Sequence, residues 1–584
     1  MNVLTEEARQ RLKSLYEFIY ERNADWTCFE QILEKAEKTY RFLERRSFPL
    51  PLDQSDVVFI TYADQFRRNG ERPLQTLRDV ALRLFNSHIS SLHLLPFFPY
   101  TSDDGFSVAD YLSVHPDFGD WQDIQALSKD FRLMFDAVVN HTSVSHEWFQ
   151  RFLAGDPDYK DFYITANPDD ERLQWVVRPR ALPLLTEFQS KEGKIHIWTT
   201  FSADQVDLNY ANPKVLQKMT ETMLDYVRLG AQFIRLDAIA YLWKEIGTTC
   251  IHLPQTHAVV QFWRLLLGEI APYVKIITET NVPHQENISY FGDGTNEAHL
   301  VYNFALPPLI LHTVHSQNTR YLSRWASDLH TPADGTAFFN FLASHDGVGV
   351  NPVRGILSDL EIDQLVATVQ QLGGLVSYKA NPDGSRSPYE LNVNYLDAMS
   401  SPDALDNEDL MIVRFLTAHS VLLTLRGLPA IYVHSMIGSR GWKEGVSLTG
   451  ANRTVNRQKL SADEVLSEIK NPKHRRSKIW NELRKMLAVR RKYRAFDPSA
   501  LQQVIVEDER IFALMRYDPQ SERDVFCVHN FTDQEVTVRL PDSSGRWEDL
   551  LSPDQKVAEQ EVRLLPYQHR WICRITKLRG DEPL

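Results

Sequence analysis

The sequence predicts an α/β protein built on a (β/α)8 TIM barrel, with an N-terminal helical extension, two inserted small domains and a C-terminal all-β domain. Short β-like runs alternate with helical stretches from residue 56 to residue 435. After residue 498 the helical periodicity gives way to apolar, partly alternating strands separated by turns. Acidic residues stand at or near the ends of three of the barrel-like runs, which read FIRLDAIAY (233–241), VKIITET (274–280) and FFNFLASHDGVGV (338–350).

Composition limits the class of protein. The chain has 584 residues, enough for a barrel and one or two smaller domains, and a net charge of −13. This charge argues against a nucleic-acid or anionic-membrane partner, and no stretch has the length and apolarity of a membrane span. We therefore expect a cytoplasmic monomer or homodimer. The four cysteines are widely spaced, which argues against disulfides and metal ligation and favours a reducing compartment; they are Cys28, Cys250, Cys527 and Cys573.

The first part of the chain predicts a helical extension over 1–55, with Thr5 as a plausible N-cap. We expect it to pack on the main domain, with a partner-binding arm as the alternative. The first part of the barrel spans 56–141. Its strands are predicted from three apolar runs: DVVFITYADQF (56–66), SSLHLLPFFPY (90–100) and FRLMFDAVVNHTS (131–143).

The strand–helix alternation is interrupted twice. Residues 142–208 are rich in aromatic residues and proline, and we interpret them as an inserted domain forming a small separate lobe. The barrel resumes over 209–346. A second stretch rich in Gly, Pro and Asn, 347–402, predicts an inserted loop domain. The last part of the barrel spans 403–497, and the C-terminal β domain spans 498–584.

Arg235 and Asp237 are two positions apart in an otherwise apolar run, so a strand would place both side chains on one face. A structural ion pair is one interpretation. The barrel layout favours another, because the carboxyl ends of parallel barrel strands converge on a common site. Glu279 and Asp346 would meet Asp237 there. Paired carboxylates suit the cleavage of a glycosidic bond, which needs a nucleophile and a proton donor.

The segments LPFFPYTSDDGF, DAVVNH, IRLDAIAY, ITET and ASHDG resemble, in this order, the signature regions of the α-amylase superfamily. VFITYADQF, RPRALP, FALPPLILH and HDGVG are similar to the sucrose phosphorylase subfamily. Within that subfamily, the N-terminal extension and SPYE resemble the bacterial glucosylglycerate phosphorylases. The resemblance covers residues 56–576.

The resemblance implies a role for each matching residue. Asp237 is the nucleophile, and Arg235 keeps it ionised by lowering its pKa. Glu279 is the general acid/base, whose pKa must be raised, and Asp346 is the stabilising third carboxylate. The remaining glucose contacts are Asp103 paired with Arg457, His141, His345, Phe106, Phe201 and Tyr241. Asp104 is the alternative to Asp103 as the glucose-binding acid, and Arg453 is the alternative to Arg457 as its partner.

Phosphorolysis requires cationic donors where water would otherwise react. The resemblance places Arg180 near phosphate with Tyr389 beside it, although RPR alone would also fit a solvated loop. Glu390 stands where sucrose phosphorylases have Gln, which argues against sucrose. Arg178, Arg180 and Arg354 could pair with an anionic acceptor, whereas Glu390 could accept hydrogen bonds from glycerol.

The resemblance thus implies a retaining disaccharide phosphorylase acting on glucosylglycerate, with inorganic phosphate as co-substrate and no metal or organic cofactor. Glucosylglycerol is the next candidate substrate, then sucrose or sucrose 6-phosphate. An α-glucosidase or transglucosidase would use the same carboxylates. A non-catalytic scaffold is disfavoured because all three acids are present.

Overall fold

A computed structural model describes residues 4–43, 51–381, 383–518, 520, 523–541, 546–554, 557 and 560–575. Its centre is a closed barrel of eight parallel strands in sequential order. The strands are β1 (Val58–Thr61), β2 (Ser91–Leu94), β3 (Arg132–Ala137), β4 (Ala231–Leu236), β5 (Lys275–Thr278), β6 (Leu300–Tyr302), β7 (Ala337–Asn340) and β8 (Leu428–Tyr432). Parallel pairing of β1 with both β2 and β8 closes the barrel. The predicted fold class is therefore confirmed.

Helices cover the outside of the barrel, so the strands are buried on both faces. The main ones are Pro73–Leu84, Trp121–Leu127, Pro213–Leu229, Pro254–Ile270, His284–Ile288, Leu306–Ser316, Arg320–Ser327, Glu408–Thr424 and Arg475–Arg490. The helix before β4 shows how the sequence sets their limits. Asn212 caps its first turn, Pro213 begins it, and Gly230 ends it with a φ of 111°. The chain then enters β4 directly, which fixes the position of Arg235.

The N-terminal extension forms two helices, Glu6–Tyr20 and Trp26–Leu43, rather than one continuous helix. Thr5 is the N-cap, as predicted, and its hydroxyl oxygen accepts a hydrogen bond from the backbone N–H of Ala8 at 3.1 Å. The two helices pack on Pro213–Leu229 and Pro254–Ile270 of the barrel. Lys35 also forms an ion pair with Asp225 at 2.7 Å.

The buried residues of the first insertion fall into two hydrophobic clusters. Phe149 and Tyr163 belong to the same continuous core as the barrel strands. Val176, Leu184 and Trp198 form a smaller, separate cluster with Cys250. The regular elements of the insertion are His141–Ser143, Glu147–Leu153, Leu185–Ser190, Gly193–Trp198 and Gln205–Asp207.

The second insertion contains a helix, Asp359–Gln371, that the sequence analysis missed. Ser358 and Glu361 form a capping box at its start, and this SxxE spacing was the available signal. The helix packs against a three-stranded sheet made of Val348–Gly349, Leu375–Ala380 and Arg386–Asn392. The last of these strands carries Tyr389 and Glu390.

The C-terminal region is all-β, as predicted. Five strands form an antiparallel sheet, Gln502–Ile505, Ile511–Arg516, Val525–Asn530, His569–Ile575 and Arg546–Asp549, and a smaller sheet pairs Val536–Arg539 with Glu561–Leu564. Ser420 of the helix Glu408–Thr424 joins this region to the barrel, since its hydroxyl oxygen accepts a hydrogen bond from the Trp571 indole at 2.8 Å. Within the described residues, no helix combines the length and apolarity needed to cross a bilayer.

Candidate active site

The three predicted carboxylates meet in one cavity at the C-terminal mouth of the barrel. Asp237 directly follows β4, Glu279 directly follows β5, and Asp346 lies six residues beyond the end of β7. All predicted site residues line this cavity except two arginines, which lie behind it; the lining members are Asp103, Phe106, His141, Arg180, Phe201, Asp237, Tyr241, Glu279, His345, Asp346, Tyr389 and Glu390. The strand-end positions were readable from sequence because parallel barrel strands point their carboxyl ends to the same face.

Arg235, one of the two arginines behind the cavity, interacts with two of the three acids. Its guanidinium Nη1 donates to Asp237 Oδ1 at 2.9 Å, and its Nη2 lies 4.0 Å from Glu279 Oε2. It also pairs with Asp136, which faces it across the β3–β4 register. His93 lies on the other side of Asp136, with its Nε2 2.8 Å from Oδ2. The sequence analysis assigned no role to Asp136, although a buried-strand aspartate within DAVVNH was a signal.

Arg235 lowers the pKa of Asp237, as expected, but burial outweighs this effect. Burial, reinforced by Asp136 and Asp346, raises the pKa of Asp237 to about 6, against the opposing effect of Arg235. Desolvation wins because the carboxylate is 8% exposed. Arg235 therefore limits the rise in the pKa rather than reversing it.

The pKa of Glu279 is raised to about 7, first by burial and then by the negative charge of Asp237. Arg235 and the backbone N–H of Ala238, which donates to Glu279 Oε2 at 3.1 Å, limit this rise. Ala238 has a φ of 50°, unusual for a residue with a side chain. In this conformation the backbone N–H of the residue after Asp237 binds the Glu279 carboxyl group. Burial thus raises the pKa of both neighbouring carboxyls, and the raised pKa of Glu279 suits a proton donor.

The raised pKa of Glu279 predicts a pH-dependent effect on stability. A carboxyl whose native pKa exceeds its unfolded value stabilises less as pH rises through the native pKa, because ionisation is easier in the unfolded chain. A rise from 4.5 to about 7 costs roughly 3 kcal/mol at pH 8.5. We expect Glu279→Gln to raise Tm at pH 8.5 by roughly 3 °C and to raise it much less at pH 5.

Differential scanning calorimetry at the two pH values measures this difference. Glu482→Gln is the matched control, because the Glu482 side chain is 53% exposed and its removal should leave both Tm values unchanged. An equal Tm increase for Glu279→Gln at pH 5 and pH 8.5 would contradict a cost of ionisation.

Asp346 is held by both arginines that the sequence offered as alternatives. Its Oδ1 lies 2.6 Å from Arg453 Nη1 and 3.1 Å from Arg457 Nη2. Burial alone would raise the pKa of Asp346, but these cations and His345 lower it well below its usual range. Asp346 is therefore an ionised carboxylate at neutral pH. Arg457 also contacts Asp103 Oδ1 at 3.0 Å, as predicted.

Asp104 shares Arg457 with Asp103, at 2.9 Å, but does not line the cavity. Only Asp103 is therefore available to a ligand. Arg453, unlike Arg457, does line the cavity. The sequence alone could not decide between Asp103 and Asp104, or between Arg453 and Arg457. In each case two residues of the same type lie close together in a loop-like segment.

Glu390 is not free to accept hydrogen bonds from an acceptor molecule, contrary to one of the sequence-based expectations. Arg453 binds it with two hydrogen bonds, from Nη2 to Oε1 at 2.9 Å and from Nε to Oε2 at 3.1 Å. Glu390 is buried, the Arg453 side chain is partly exposed, and Arg453 joins Glu390 to Asp346. Arg453 thus compensates the negative charge of Glu390.

Aromatic rings form the apolar wall of the cavity. Phe106 stacks on His345 with ring centroids 4.7 Å apart and an interplanar angle of 4°. Phe201 packs edge-on against Tyr241 at 5.6 Å. Burial lowers the pKa of His141, so this residue is neutral, and its Nε2 lies 3.0 Å from the Phe106 carbonyl oxygen. Such walls suit the apolar C–H faces of a sugar ring.

Of the three arginines expected near an anionic ligand, only Arg180 lines the cavity, where its guanidinium lies 6.0 Å from the centroid of the Tyr389 ring. Arg178 is absent from this wall. Arg354 lines a different cavity and pairs with Asp359 at 3.3 Å, so its predicted role at the acceptor is wrong. Arg354 lies eight residues after Asp346, and within these eight residues the chain leaves the site.

Comparison with known proteins agrees with this geometry. Residues 85–355 match the α-amylase catalytic domain. The glucosylglycerate phosphorylase of Spirochaeta thermophila is 53% identical over 503 residues, 86% of this chain and 85% of that protein. The glucosylglycerate phosphorylase of Escherichia coli is 43% identical over 568 residues. This match covers 97% of this chain and 100% of the Escherichia coli protein.

Among solved structures, sucrose 6F-phosphate phosphorylase from Thermoanaerobacter thermosaccharolyticum superposes with a TM-score of 0.72 at 23% identity, covering 89% of this chain and 100% of that chain. This likeness concerns the fold. The two relatives, by contrast, match nearly the whole chain at identities that define a family. The chain therefore belongs to the glucosylglycerate phosphorylase family.

Proposed function

We propose that the chain is a retaining disaccharide phosphorylase that converts 2-O-α-D-glucosylglycerate and inorganic phosphate into α-D-glucose 1-phosphate and glycerate. One observation carries the choice of an anionic acceptor. Glu390 is compensated by Arg453, whereas Arg180 forms no ion pair with any described residue. The charge of Arg180 helps to lower the pKa of Asp103 and of Asp346, but no carboxylate binds its guanidinium directly, so its N–H donors can bind a ligand that carries negative charge. The names of the two relatives, at 43% and 53% identity, support the same choice.

In the first step, an Asp237 carboxylate oxygen attacks the anomeric carbon of the glucosyl unit. The bond from this carbon to the glycerate oxygen breaks, and Glu279 gives its proton to that oxygen. The product is a glucosyl ester on Asp237 with inverted configuration. The raised pKa of Glu279 suits a proton donor, and the hydrogen bond from Arg235 Nη1 suits Asp237 as the nucleophile.

In the second step, a phosphate oxygen attacks the same carbon, and the ester bond to Asp237 breaks. A second inversion restores the α configuration. Glu279, now ionised, takes up the proton that the entering phosphate oxygen gives up. Asp346 stays ionised throughout and binds glucosyl hydroxyls together with Asp103.

Glycerate leaves and phosphate enters at the same face of the sugar, so both anions use the acceptor side of the cavity in turn. One cation, Arg180, can therefore serve both the glycerate carboxylate and phosphate. Phosphate is a co-substrate in this scheme, and the proposal includes no metal or organic cofactor. The four buried, free cysteines support the reducing cytoplasm as the location.

Hydrolysis is the second candidate function, because the same ester intermediate could react with water. Arg180 is the residue that separates the two functions, since water needs no cation. We expect Arg180→Gln to lower the rate of glucose 1-phosphate formation from glucosylglycerate by about 100-fold, roughly 2.7 kcal/mol of transition-state stabilisation. The fraction of free glucose among the products should rise.

Chromatographic measurement of glucose 1-phosphate and glucose tests this prediction, with Arg178→Gln as the control. Arg178 is two residues away and does not line the cavity, so its replacement should change either rate less than about threefold. In the reverse direction, glucose 1-phosphate is supplied with glycerate, glycerol, fructose or fructose 6-phosphate. Faster phosphate release with glycerol than with glycerate would reject the anionic acceptor. Unchanged product ratios in Arg180→Gln would remove Arg180 from the role of phosphate ligand, and free glucose as the main product of the parent, independent of phosphate, would favour hydrolysis.

A further inference from the structure

A second cavity lies between the helix Arg320–Ser327, the short helix His284–Ile288 and the segment that follows Val353. Its volume is about 410 Å³, compared with about 70 Å³ for the cavity that holds the three acids. Small-molecule sites typically enclose 300–1,000 Å³, so the second cavity has room for a ligand of metabolite size. None of the residues that we place in catalysis lines it.

Two ring nitrogens in this cavity have no hydrogen-bond partner among the residues that the structure describes. Trp325 is 5% exposed, and its indole Nε1 is buried and unpartnered. An indole N–H can only donate, so it requires an acceptor from outside the protein. The Nδ1 atom of His284 is also buried and unpartnered. A buried polar group without a partner is costly, and such a group at a cavity wall indicates a ligand.

The charged residues of the cavity favour an anion. Arg324 and Arg354 both line it, and Arg324 forms no ion pair with a described residue. Arg354 forms one ion pair, with the 90% exposed side chain of Asp359, and also donates long hydrogen bonds to Asn351 Oδ1 at 3.3 Å and to the Pro388 carbonyl oxygen at 3.5 Å. One carboxylate, Asp328, lines the same cavity. A phosphate could bind the two arginines while hydroxyl groups of the same molecule donate to Asp328.

Aromatic side chains form part of the remaining wall, together with apolar side chains. Phe338 and Trp325 are 1% and 5% exposed, so the half-buried rings of His284 and Tyr321 are the ones open to a ligand. His284 lies between Trp325, at 5.9 Å between ring centroids, and Phe338, at 6.1 Å. Burial lowers the pKa of His284 to about 4, so it is a neutral ring at physiological pH. Aromatic faces bind sugar rings and nucleobases through their apolar surfaces. The cavity thus combines a ring-binding wall with two cations and a single carboxylate.

We propose that this cavity binds a phosphate monoester of a hydroxylated ring compound, with its phosphate on Arg324 and Arg354 and an oxygen acceptor on the Trp325 indole. Two sources share this chemistry, a sugar phosphate and a nucleoside monophosphate. The proposal concerns a separate site and does not depend on which reaction the three acids catalyse.

Isothermal titration calorimetry on the full chain tests the proposal, with Asp237→Asn used to prevent turnover. Glucose 1-phosphate and adenosine monophosphate are titrated separately. If the sugar phosphate is a ligand, two equivalents of glucose 1-phosphate bind per chain, one in each cavity. If the nucleotide is a ligand, adenosine monophosphate binds with one equivalent. We expect Arg324→Gln and Trp325→Phe each to weaken this second-cavity binding about tenfold or more.

Trp325→Phe keeps an aromatic ring but removes the N–H, which separates loss of a donor from loss of packing. Arg484→Gln is the charge-matched control on the helix Arg475–Arg490, away from the cavity, and should leave binding unchanged. Tm values within about 2 °C of the parent would show that the variants fold. The proposal is overturned if neither compound binds beyond the single equivalent of glucose 1-phosphate expected in the catalytic cavity. It is also overturned if binding persists unchanged in both Arg324→Gln and Trp325→Phe.

Discussion

Replacing Asp237 by Asn should lower kcat for phosphorolysis of glucosylglycerate by about 10,000-fold. The amide has nearly the shape of the carboxylate but cannot form the glucosyl ester. The change also leaves Arg235 with Asp136 as its remaining close carboxylate partner, so the guanidinium keeps a buried counter-charge. The loss should therefore fall on kcat, with little change in the affinity for the substrate.

Initial rates of glucose 1-phosphate formation measure the effect, and calorimetric titration with glucose 1-phosphate shows whether the cavity still binds. Asp104→Asn is the matched control, because Asp104 contacts Arg457 at the same mouth of the barrel but does not line the cavity. We expect this control to lose less than about tenfold in kcat. Activity of Asp237→Asn within tenfold of the parent would remove Asp237 from the role of nucleophile.

Glu279→Gln should lower kcat for glucosylglycerate by about 1,000-fold, because glutamine cannot protonate the departing glycerate oxygen. The loss should depend on the leaving group. Fluoride leaves without prior protonation, so α-glucosyl fluoride should recover most of the rate of ester formation. We expect Glu279 to protonate the leaving group because its Oε2 lies beside the nucleophile, where it accepts a hydrogen bond from the N–H of Ala238 at 3.1 Å.

Pre-steady-state release of glycerate or fluoride distinguishes the two substrates. In Asp237→Asn both substrates should fail, since no nucleophile remains, and this variant is the control for the rescue. Equal losses on glucosylglycerate and α-glucosyl fluoride in Glu279→Gln would argue that the residue positions Asp237 and does not transfer a proton.

The site is an electrostatic network in which burial and arginines together set the pKa of each acid. Asp346 has two close guanidinium partners, and its pKa is lowered. Glu279 has one guanidinium at 4.0 Å, and its pKa is raised. Burial raises the pKa at both positions, and the number and distance of cations decide whether that rise is overcome.

The barrel and the three acids were predictable because they follow from local patterns. Apolar runs of four to six residues form strands, and Arg235 and Asp237 share a side because of the two-residue period of a strand. The division of the first insertion between two clusters was not predictable, because aromatic residues such as Phe149 and Trp198 could equally join the barrel core or form a core of their own. The composition of a segment indicates that its apolar side chains are buried, but it does not indicate which residues they pack against.

The sequence by itself determined the barrel, the positions of Asp237, Glu279 and Asp346 at its mouth, and the resemblance that the relatives confirm. Only the tertiary structure decided the charges. Burial raises the pKa of Asp237 despite Arg235, and Arg453, 63 positions along the chain from Glu390, takes both oxygens of that acid. Chain spacing fixes which residues share a strand face. A pKa or an ion pair depends on desolvation and on partners that are brought together by folding.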